Sequence, residues 1–181
     1  MVKQKLSEKI ELMGGITASF ENSKLTIKGP KGEITKTFES PIVNTSVEGN
    51  SINLSTKDGS KRSKAMIKTY KAHVNNALKG LNDVYVYKLK ICSGHFPMNI
   101  SVSNNVLEIK NYVGEKVPRK VQLDPSVSVK IDGQEIVVES PDKDKAGQTA
   151  ANIEQSTRRP GFDKRIFQDG IYITDKAGKA V

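Results

Sequence analysis

The chain contains one pattern of residues twice. Residues 19–33 (SFENSKLTIKGPKGE) align without a gap with residues 101–115 (SVSNNVLEIKNYVGE), at a constant offset of 82 positions. Residues 52–55 (INLS) match residues 136–139 (IVVE) at an offset of 84, and a helix-like stretch follows in both copies. Each copy is long enough for a small hydrophobic core, so the repeat predicts two similar domains, residues 1–82 and 83–181. The identical pairs include Leu25 with Leu107, Ile27 with Ile109, Lys28 with Lys110, Gly32 with Gly114 and Glu33 with Glu115.

Alternating apolar and polar residues predict short strands in both copies. In the second copy the predicted strands cover residues 86–91, 100–103, 106–109, 116–123, 127–131 and 135–139. Residues 29–32 (GPKG) resemble the G-x-x-G loop that holds a nucleic-acid backbone in one RNA-binding module. That module places its loop between helices, whereas strands flank this one, so a tight hairpin is the prediction.

One helix is predicted in each copy. In the first copy the apolar residues from Met66 to Leu78 recur at helical spacing, and Gly80 suits a C-terminal cap. In the second copy a helix starts at Asp142 and turns Ala146 and Ile153 inward. The first helix is expected to pack an aliphatic face on the strands and to present a basic face outward. That secondary basic face consists of Lys61, Arg62, Lys64 and Lys68.

The charge balance favours a polyanionic partner. The net charge is +9 at pH 7, and each lysine or arginine set against a phosphate releases condensed counterions. Residues 1–90 carry 16 Lys and Arg against 8 Asp and Glu, whereas residues 91–181 carry 13 against 12. Arginine, which can bind phosphate bidentately or stack on a base, concentrates in the second half. We interpret the first half as a broad electrostatic face; the alternative is that the excess lysine only keeps the protein soluble.

The second copy continues beyond its helix into a tail that the first copy lacks. Residues 158–181 (RRPGFDKRIFQDGIYITDKAGKAV) interleave cations with Phe162 and other aromatic residues. Cations can hold phosphates while aromatic rings stack on exposed bases, so this tail is the predicted specific RNA contact. Phe167, Ile171 and Ile173 are also expected to form a strand that closes the sheet. The predicted RNA-binding residues are Arg158, Arg159, Lys164, Arg165, Phe167, Tyr172, Lys176 and Lys179.

The sequence offers little support for catalysis, for a metal or for a cofactor. Cys92 and His95 are close in sequence, and His73 is the only other histidine. A cysteine nucleophile needs a base and an orienting group, and a zinc site needs four ligands or three and a water. We therefore predict no catalytic residues, no metal site and no cofactor, with an enzyme using Cys92 and His95 as the rival hypothesis.

Several signals favour a cytoplasmic protein with no membrane partner. No run approaches the roughly twenty apolar residues that a membrane helix needs. The first residues (MVKQKLSEKIEL) lack the apolar stretch of a signal peptide. A single cysteine excludes an internal disulfide.

Four segments resemble a known family. Residues 146–155 (AGQTAANIEQ), 165–176 (RIFQDGIYITDK), 29–33 (GPKGE) and 95–97 (HFP) are similar to protein six of the large ribosomal subunit, in its archaeal and eukaryotic form. The resemblance covers essentially the whole chain, and R-x-F-x-D-G-I-Y-I is rather specific. It implies two tandem homologous α+β domains, each with small antiparallel sheets packed with one helix.

The resemblance also implies a structural role without catalysis. Members bind large-subunit ribosomal RNA, chiefly through the second domain and its C-terminal extension, near the stalk base and the sarcin–ricin loop. The implied contacts are Arg158, Arg159, Lys164, Arg165 and the residues after Tyr172. The expected partners are large-subunit rRNA, neighbouring ribosomal proteins of the stalk base and nearby translation factors. The alternative hypothesis is a basic protein-interaction module that docks an acidic partner.

Overall fold

The computed structural model describes residues 5–12, 14–163 and 165–181 of the chain. Two compact units follow one another, the first ending at Val84 and the second beginning at Tyr85. Within the described residues each unit contains two small antiparallel sheets and one α-helix. The predicted fold class, α+β with two tandem domains of this composition, is therefore confirmed.

The first unit packs its helix against two three-stranded sheets. The strands have the order β1-β6-β5 in one sheet and β2-β3-β4 in the other, and every neighbouring pair is antiparallel. The core is aliphatic, and Leu25, Ile52 and Leu54 are almost fully buried in it. The elements are β1 (Ser7–Glu11), β2 (Thr17–Glu21), β3 (Lys24–Gly29), β4 (Gly32–Thr37), β5 (Val43–Glu48), β6 (Ser51–Thr56) and α1 (Lys61–Asn82).

A tight hairpin joins β3 to β4, as the sequence predicts. Gly29 lies opposite Gly32 in the register, which leaves only Pro30 and Lys31 in the turn. Gly29 also lies against the last turn of α1, because a Cβ atom built on it would be 3.0 Å from the Leu81 Cβ. The glycine therefore allows the hairpin and the helix to approach closely.

The predicted end of α1 is wrong. The helix runs through Gly80 to Asn82, and the Asp83 N–H closes it by donating to the Lys79 carbonyl at 2.8 Å. Leu81 is fully buried. Burying a leucine contributes roughly 1.5–3 kcal/mol, which exceeds the cost of about 1 kcal/mol for a glycine inside a helix. Packing therefore carries the helix past the residue that local preference would make its cap.

The second unit repeats this arrangement and adds one strand. Its sheets have the orders β11-β12-β7-β13 and β10-β9-β8. Strand β7 occupies the place of β1, and the additional strand β13 pairs with its free edge. The elements are β7 (Tyr85–Cys92), β8 (Asn99–Ser103), β9 (Val106–Lys110), β10 (Arg119–Gln122), β11 (Ser128–Asp132), β12 (Glu135–Ser140), α2 (Lys143–Ser156) and β13 (Gly170–Lys176).

The strand predicted over residues 116–123 is only half present. The chain leaves β9 through a short 3-10 helix, Tyr112–Gly114, and pairing resumes at Arg119. Pro118 has no N–H to donate to a ladder, and Val117 is 78% exposed. In the first unit a two-residue turn takes the place of this connection between β9 and β10. Apart from the tail, the two units therefore differ most at this point.

Candidate nucleic-acid interface

Strand β13 is fixed to α2 as well as to β7. The Ile171 N–H donates to Thr157 Oγ1 and the Ile173 N–H to Glu154 Oε1, each at 3.0 Å. Ile171 is fully buried and pairs with Ile91 of β7. The tail strand therefore closes the sheet as predicted, although Phe167 lies in the loop before it rather than within it.

A pocket of about 290 Å³ opens where the end of α2, the loop after it and the start of β13 meet. Four aromatic residues and two arginines line it together with polar side chains. The arginines come from the loop directly after α2, and one tyrosine comes from the 3-10 helix after β9. The aromatic and cationic lining residues are Tyr112, Arg158, Arg159, Phe162, Phe167 and Tyr172.

Flat aromatic and cationic surfaces are stacked at this pocket. The Phe162 and Phe167 rings meet edge to face, with centroids 5.0 Å apart and planes at 81°. The Arg159 guanidinium carbon lies 4.0 Å from the Phe162 ring centroid, on its face. Phe162 remains 39% exposed. Such rings and guanidinium planes are the surfaces on which proteins stack the unpaired bases of RNA.

Tyr112 and Arg119 hold the end of α2 in place. The buried Tyr112 hydroxyl donates to the carbonyls of Thr157 and Asp169. The Arg119 guanidinium lies over the Tyr112 ring at 4.3 Å and donates to the Ser156 carbonyl at 2.6 Å. A cation at the last carbonyls of a helix is favourable, because they carry the negative end of its dipole.

Glu115 completes this support. Its two carboxylate oxygens accept from Nε and Nη2 of Arg119 at 2.7 and 2.6 Å, a bidentate pair. The hydrogen bonds from Arg119 hold the pKa of Glu115 below its ordinary value. Burial raises the pKa of Tyr112 above its ordinary value, at which a phenol is already protonated at neutral pH, so its hydroxyl is a donor. Arg119 is thus engaged inside the unit and supports the pocket rather than lining it.

Asp169 organises the other side of the pocket. Its buried carboxylate accepts the backbone N–H groups of Gly94 and His95 at 2.7 and 3.0 Å and contacts the His95 ring nitrogen Nδ1. The His95 ring also packs on Phe167, with centroids 5.3 Å apart. Burial alone would raise the pKa of Asp169, but the hydrogen bonds from His95 and Gly94 outweigh it and lower that pKa.

The structure brings together four of the predicted RNA-binding residues. Arg158, Arg159, Phe167 and Tyr172 line the pocket. Burial raises the pKa of Tyr172 above its ordinary value.

The other predicted cations of the tail lie elsewhere. Arg165 is exposed on the same loop, where its Nη2 contacts Asp163 Oδ2 at 2.7 Å. Lys176 and Lys179 are exposed at the far end of β13, where they share backbone hydrogen bonds. Lys164 lies outside the described residues.

The secondary basic face lies on α1, in the first unit. Lys61, Arg62, Lys64 and Lys68 are all exposed there, while Ile67 and Tyr70 of the same helix are buried. Three of the four, at i, i+3 and i+7, share one side of the helix. The predicted division of α1 into an apolar and a basic face is therefore present.

Sequence reasoning misses several residues that build the pocket. Tyr112 belongs to a segment that reads as a loop, Arg119 reads as a strand residue, and Asp169 reads as one more acidic residue near a turn. A usable signal is the segment between β9 and β10, which is longer than the two-residue turn between β3 and β4 and contains Tyr112 and Glu115.

The rival hypothesis is an enzyme that uses Cys92 and His95, and the structure gives these two residues different partners. Cys92 is half-buried at the end of β7 and pairs with Gly170, while the His95 ring contacts the Asp169 carboxylate. No group of three or more His, Cys, Asp or Glu residues that could hold a metal occurs among the residues described. Within the same ranges, no helix combines the length and the apolar character needed to cross a membrane.

Comparisons with known proteins decide the family. A family model described as ribosomal protein L6 matches residues 12–83 and 96–170. The chain is 42% identical over 180 residues to the large ribosomal subunit protein uL6 of Nanoarchaeum equitans, covering 95% of this chain and 94% of that one. It is 40% identical over 177 residues to uL6 of Methanosarcina mazei, covering 98% and 100%. The chain belongs to the ribosomal protein L6 family.

The family assignment agrees with the internal repeat. Each segment matched by the L6 model falls within one compact unit, and the second ends at Gly170, the first residue of β13. L6 is a family of structural ribosomal proteins, so the chain is not an enzyme, as the sequence predicts. A further uL6 relative, from Methanobrevibacter smithii, is 39% identical over 97% of this chain.

Proposed function

We propose that this protein is a structural constituent of the large ribosomal subunit in the cytoplasm, and that it binds large-subunit rRNA through the second unit. The binding surface consists of the pocket and of the exposed cations around it. It contacts rRNA near the factor-binding region, by the stalk base and the sarcin–ricin loop. Its proposed neighbours are the ribosomal proteins of the stalk base and, nearby, translation factors.

The observation that carries this proposal is the convergence of tail residues on one pocket. Arg158, Arg159, Phe167 and Tyr172 are up to 14 positions apart in sequence, yet they line a single pocket. Arginines supply phosphate contacts and aromatic rings supply stacking surfaces, a combination that suits RNA. Aromatic residues and arginine also occur at protein interfaces, so RNase treatment is the test that separates an acidic protein partner from RNA.

Binding to fragments of large-subunit rRNA, measured over a series of salt concentrations, tests the proposal. Removing residues 158–181 would be a poor test, because it deletes β13 and the buried Ile171 with it. Arg158→Gln with Arg159→Gln removes two charges from the pocket and leaves β13 intact. Each lost phosphate contact should reduce the slope of log affinity against log salt by roughly 0.7–0.9.

The matched control removes two charges from the same unit away from the pocket. Lys130 lies on β11, at the opposite edge of the sheet from β13, and Lys145 lies in the first turn of α2. We expect Lys130→Gln with Lys145→Gln to bind nearly as the unchanged protein does. An equal loss for both double variants would contradict the assignment to the pocket. A complex whose partner stays attached after RNase treatment would favour the acidic-protein alternative.

A further inference from the structure

We propose that the pocket of the second unit takes up one unstacked base of the rRNA. This inference rests on the proposed function and specifies its ligand as a single extruded nucleotide. The phosphates beside that nucleotide would be held by Arg158 and Arg159, while the base enters the pocket and stacks on its aromatic lining.

The size of the pocket suits one base. Its volume of about 290 Å³ is at the lower limit of small-molecule sites, which span roughly 300–1,000 Å³. An RNA helix or a peptide segment is too large to enter it. Phe162 and Phe167 meet edge to face, and Arg159 lies over one face of Phe162, so a planar base can stack on one surface of this cluster at a time.

The polar groups at the pocket match the edge of a base. A base presents both hydrogen-bond donors and acceptors, and the residues that line the pocket include Tyr172 and Gln155, whose side chains carry a hydroxyl and an amide. The Tyr172 hydroxyl is a donor at neutral pH, as a tyrosine of ordinary pKa already is, and burial raises its pKa further. A simple anion would make no use of the amide carbonyl, and an apolar side chain would leave both groups without a partner.

The pocket is formed before any ligand enters. The Tyr112 hydroxyl is bonded to the backbone at both sides of the tail loop, at Thr157 and Asp169. Asp169 is bonded in turn to Gly94 and His95, and β13 is tied to α2. A site whose walls are already ordered loses little conformational freedom on binding, which favours affinity for a single nucleotide.

The test couples a protein variant to single abasic nucleotides in the rRNA. Binding of the unchanged full chain and of Phe162→Ala is measured on fragments that each lack one base. We expect Phe162→Ala to weaken binding about five- to a hundredfold, the effect of losing one base–aromatic stack. One abasic position should reproduce this loss and cause no further loss in Phe162→Ala, because both changes remove the same contact.

Two comparisons keep the result specific to the pocket. Phe96→Ala removes another exposed phenylalanine of the same unit, 46% exposed and outside the pocket lining, and should bind normally. Phe162→Ala should leave the salt slope unchanged, since it removes no charge. If circular dichroism shows that Phe162→Ala has lost its fold, Tyr172→Phe replaces it and should couple to the same nucleotide.

The possible failures are distinguishable. If the unchanged protein does not bind large-subunit rRNA, the proposed function fails and the base pocket with it. In another outcome, the unchanged protein binds tightly while the affinity losses from Phe162→Ala and from each abasic position simply add. In that case the base pocket is overturned and the proposed function stands. Tight binding of a free nucleoside monophosphate at the pocket, without coupling in the rRNA, would also overturn it.

Discussion

At the scale of single residues, Gly170 sets the position of the Tyr172 ring. A Cβ atom at Gly170 would lie 3.1–3.3 Å from the hydroxyl and ring carbons of Tyr172. Gly170→Ala should therefore displace the ring, and it also places alanine at a φ of +158°, which favours glycine, so we expect it to destabilise the unit by about 1–3 kcal/mol. Urea unfolding followed by circular dichroism measures the loss. Gly94→Ala is the control, because its Cβ would meet only Asp169 Oδ1 at 4.0 Å.

The same contact predicts how the two positions combine. Truncating the tyrosine ring removes the obstacle, so Gly170→Ala should cost less in a Tyr172→Leu background than in the unchanged protein. Independent, additive losses would mean that the alanine acts on the backbone rather than on the ring. Gly94→Ala should stay within about 0.5 kcal/mol of the unchanged protein.

Asp169 gives the second unit a dependence on acid pH. Burial raises its pKa, but the hydrogen bonds from His95 and Gly94 lower it by more than burial raises it, so the net shift is downward. The stability that it contributes is present above the unfolded-state pKa of about 3.9 and is lost as the pH falls through the lower folded pKa. Asp169→Asn should be less stable at neutral pH by about 1–3 kcal/mol. It should also lose less stability than the unchanged protein on acidification below about pH 4.

Chemical denaturation at neutral and acid pH measures this difference. Asp132→Asn is the control, since Asp132 is exposed at the end of β11 and asparagine nearly preserves the size of its side chain. The control should follow the pH profile of the unchanged protein. If Asp169→Asn loses as much stability on acidification as the unchanged protein does, other carboxylates determine the acid dependence.

At the scale of elements, β13 belongs to the core of the second unit although it lies outside the repeat. Ile171 is fully buried against β7 and α2. Ile171→Ala should therefore cost about 2–5 kcal/mol of unfolding free energy, the usual range for a buried isoleucine. Val117→Ala, at a side chain 78% exposed, should change it by less than about 0.5 kcal/mol. Equal small effects in denaturant titrations would mean that β13 contributes little to folding.

Elements with a regular period were predictable, whereas the pocket was not. Alternation predicts β9 and β12 correctly, and helical spacing predicts both helices. The end of α1 and the start of β10 were wrong because burial of Leu81 and the missing N–H of Pro118 decide them. The pocket depends on contacts between distant segments, such as the bond from Tyr112 to the Thr157 carbonyl, and no local pattern carries that information.

At the scale of the whole molecule, the excess positive charge and the pocket lie in different parts of the chain. The excess positive charge lies in the first half, while the pocket lies in the second unit. The basic face of α1 follows the N-cap Ser60, and the first turn carries no acidic residue. Cations at this end oppose the helix dipole, so their replacement should not weaken the helix. Any loss of RNA affinity when these cations are neutralised would therefore indicate lost contacts with RNA rather than a weakened helix.

Replacing Lys61, Arg62, Lys64 and Lys68 by glutamine tests this division of labour. If all four contact phosphates, the slope of log affinity against log salt should fall by roughly three, at about 0.7–0.9 per contact. Binding to large-subunit rRNA and to unrelated RNA should weaken by similar factors, because phosphate contacts carry no sequence information. Phe162→Ala, which removes a proposed base contact and no charge, should instead weaken binding to the large-subunit RNA selectively. An unchanged salt slope in the quadruple variant would leave solubility as the role of these lysines, and would concentrate RNA binding in the second unit.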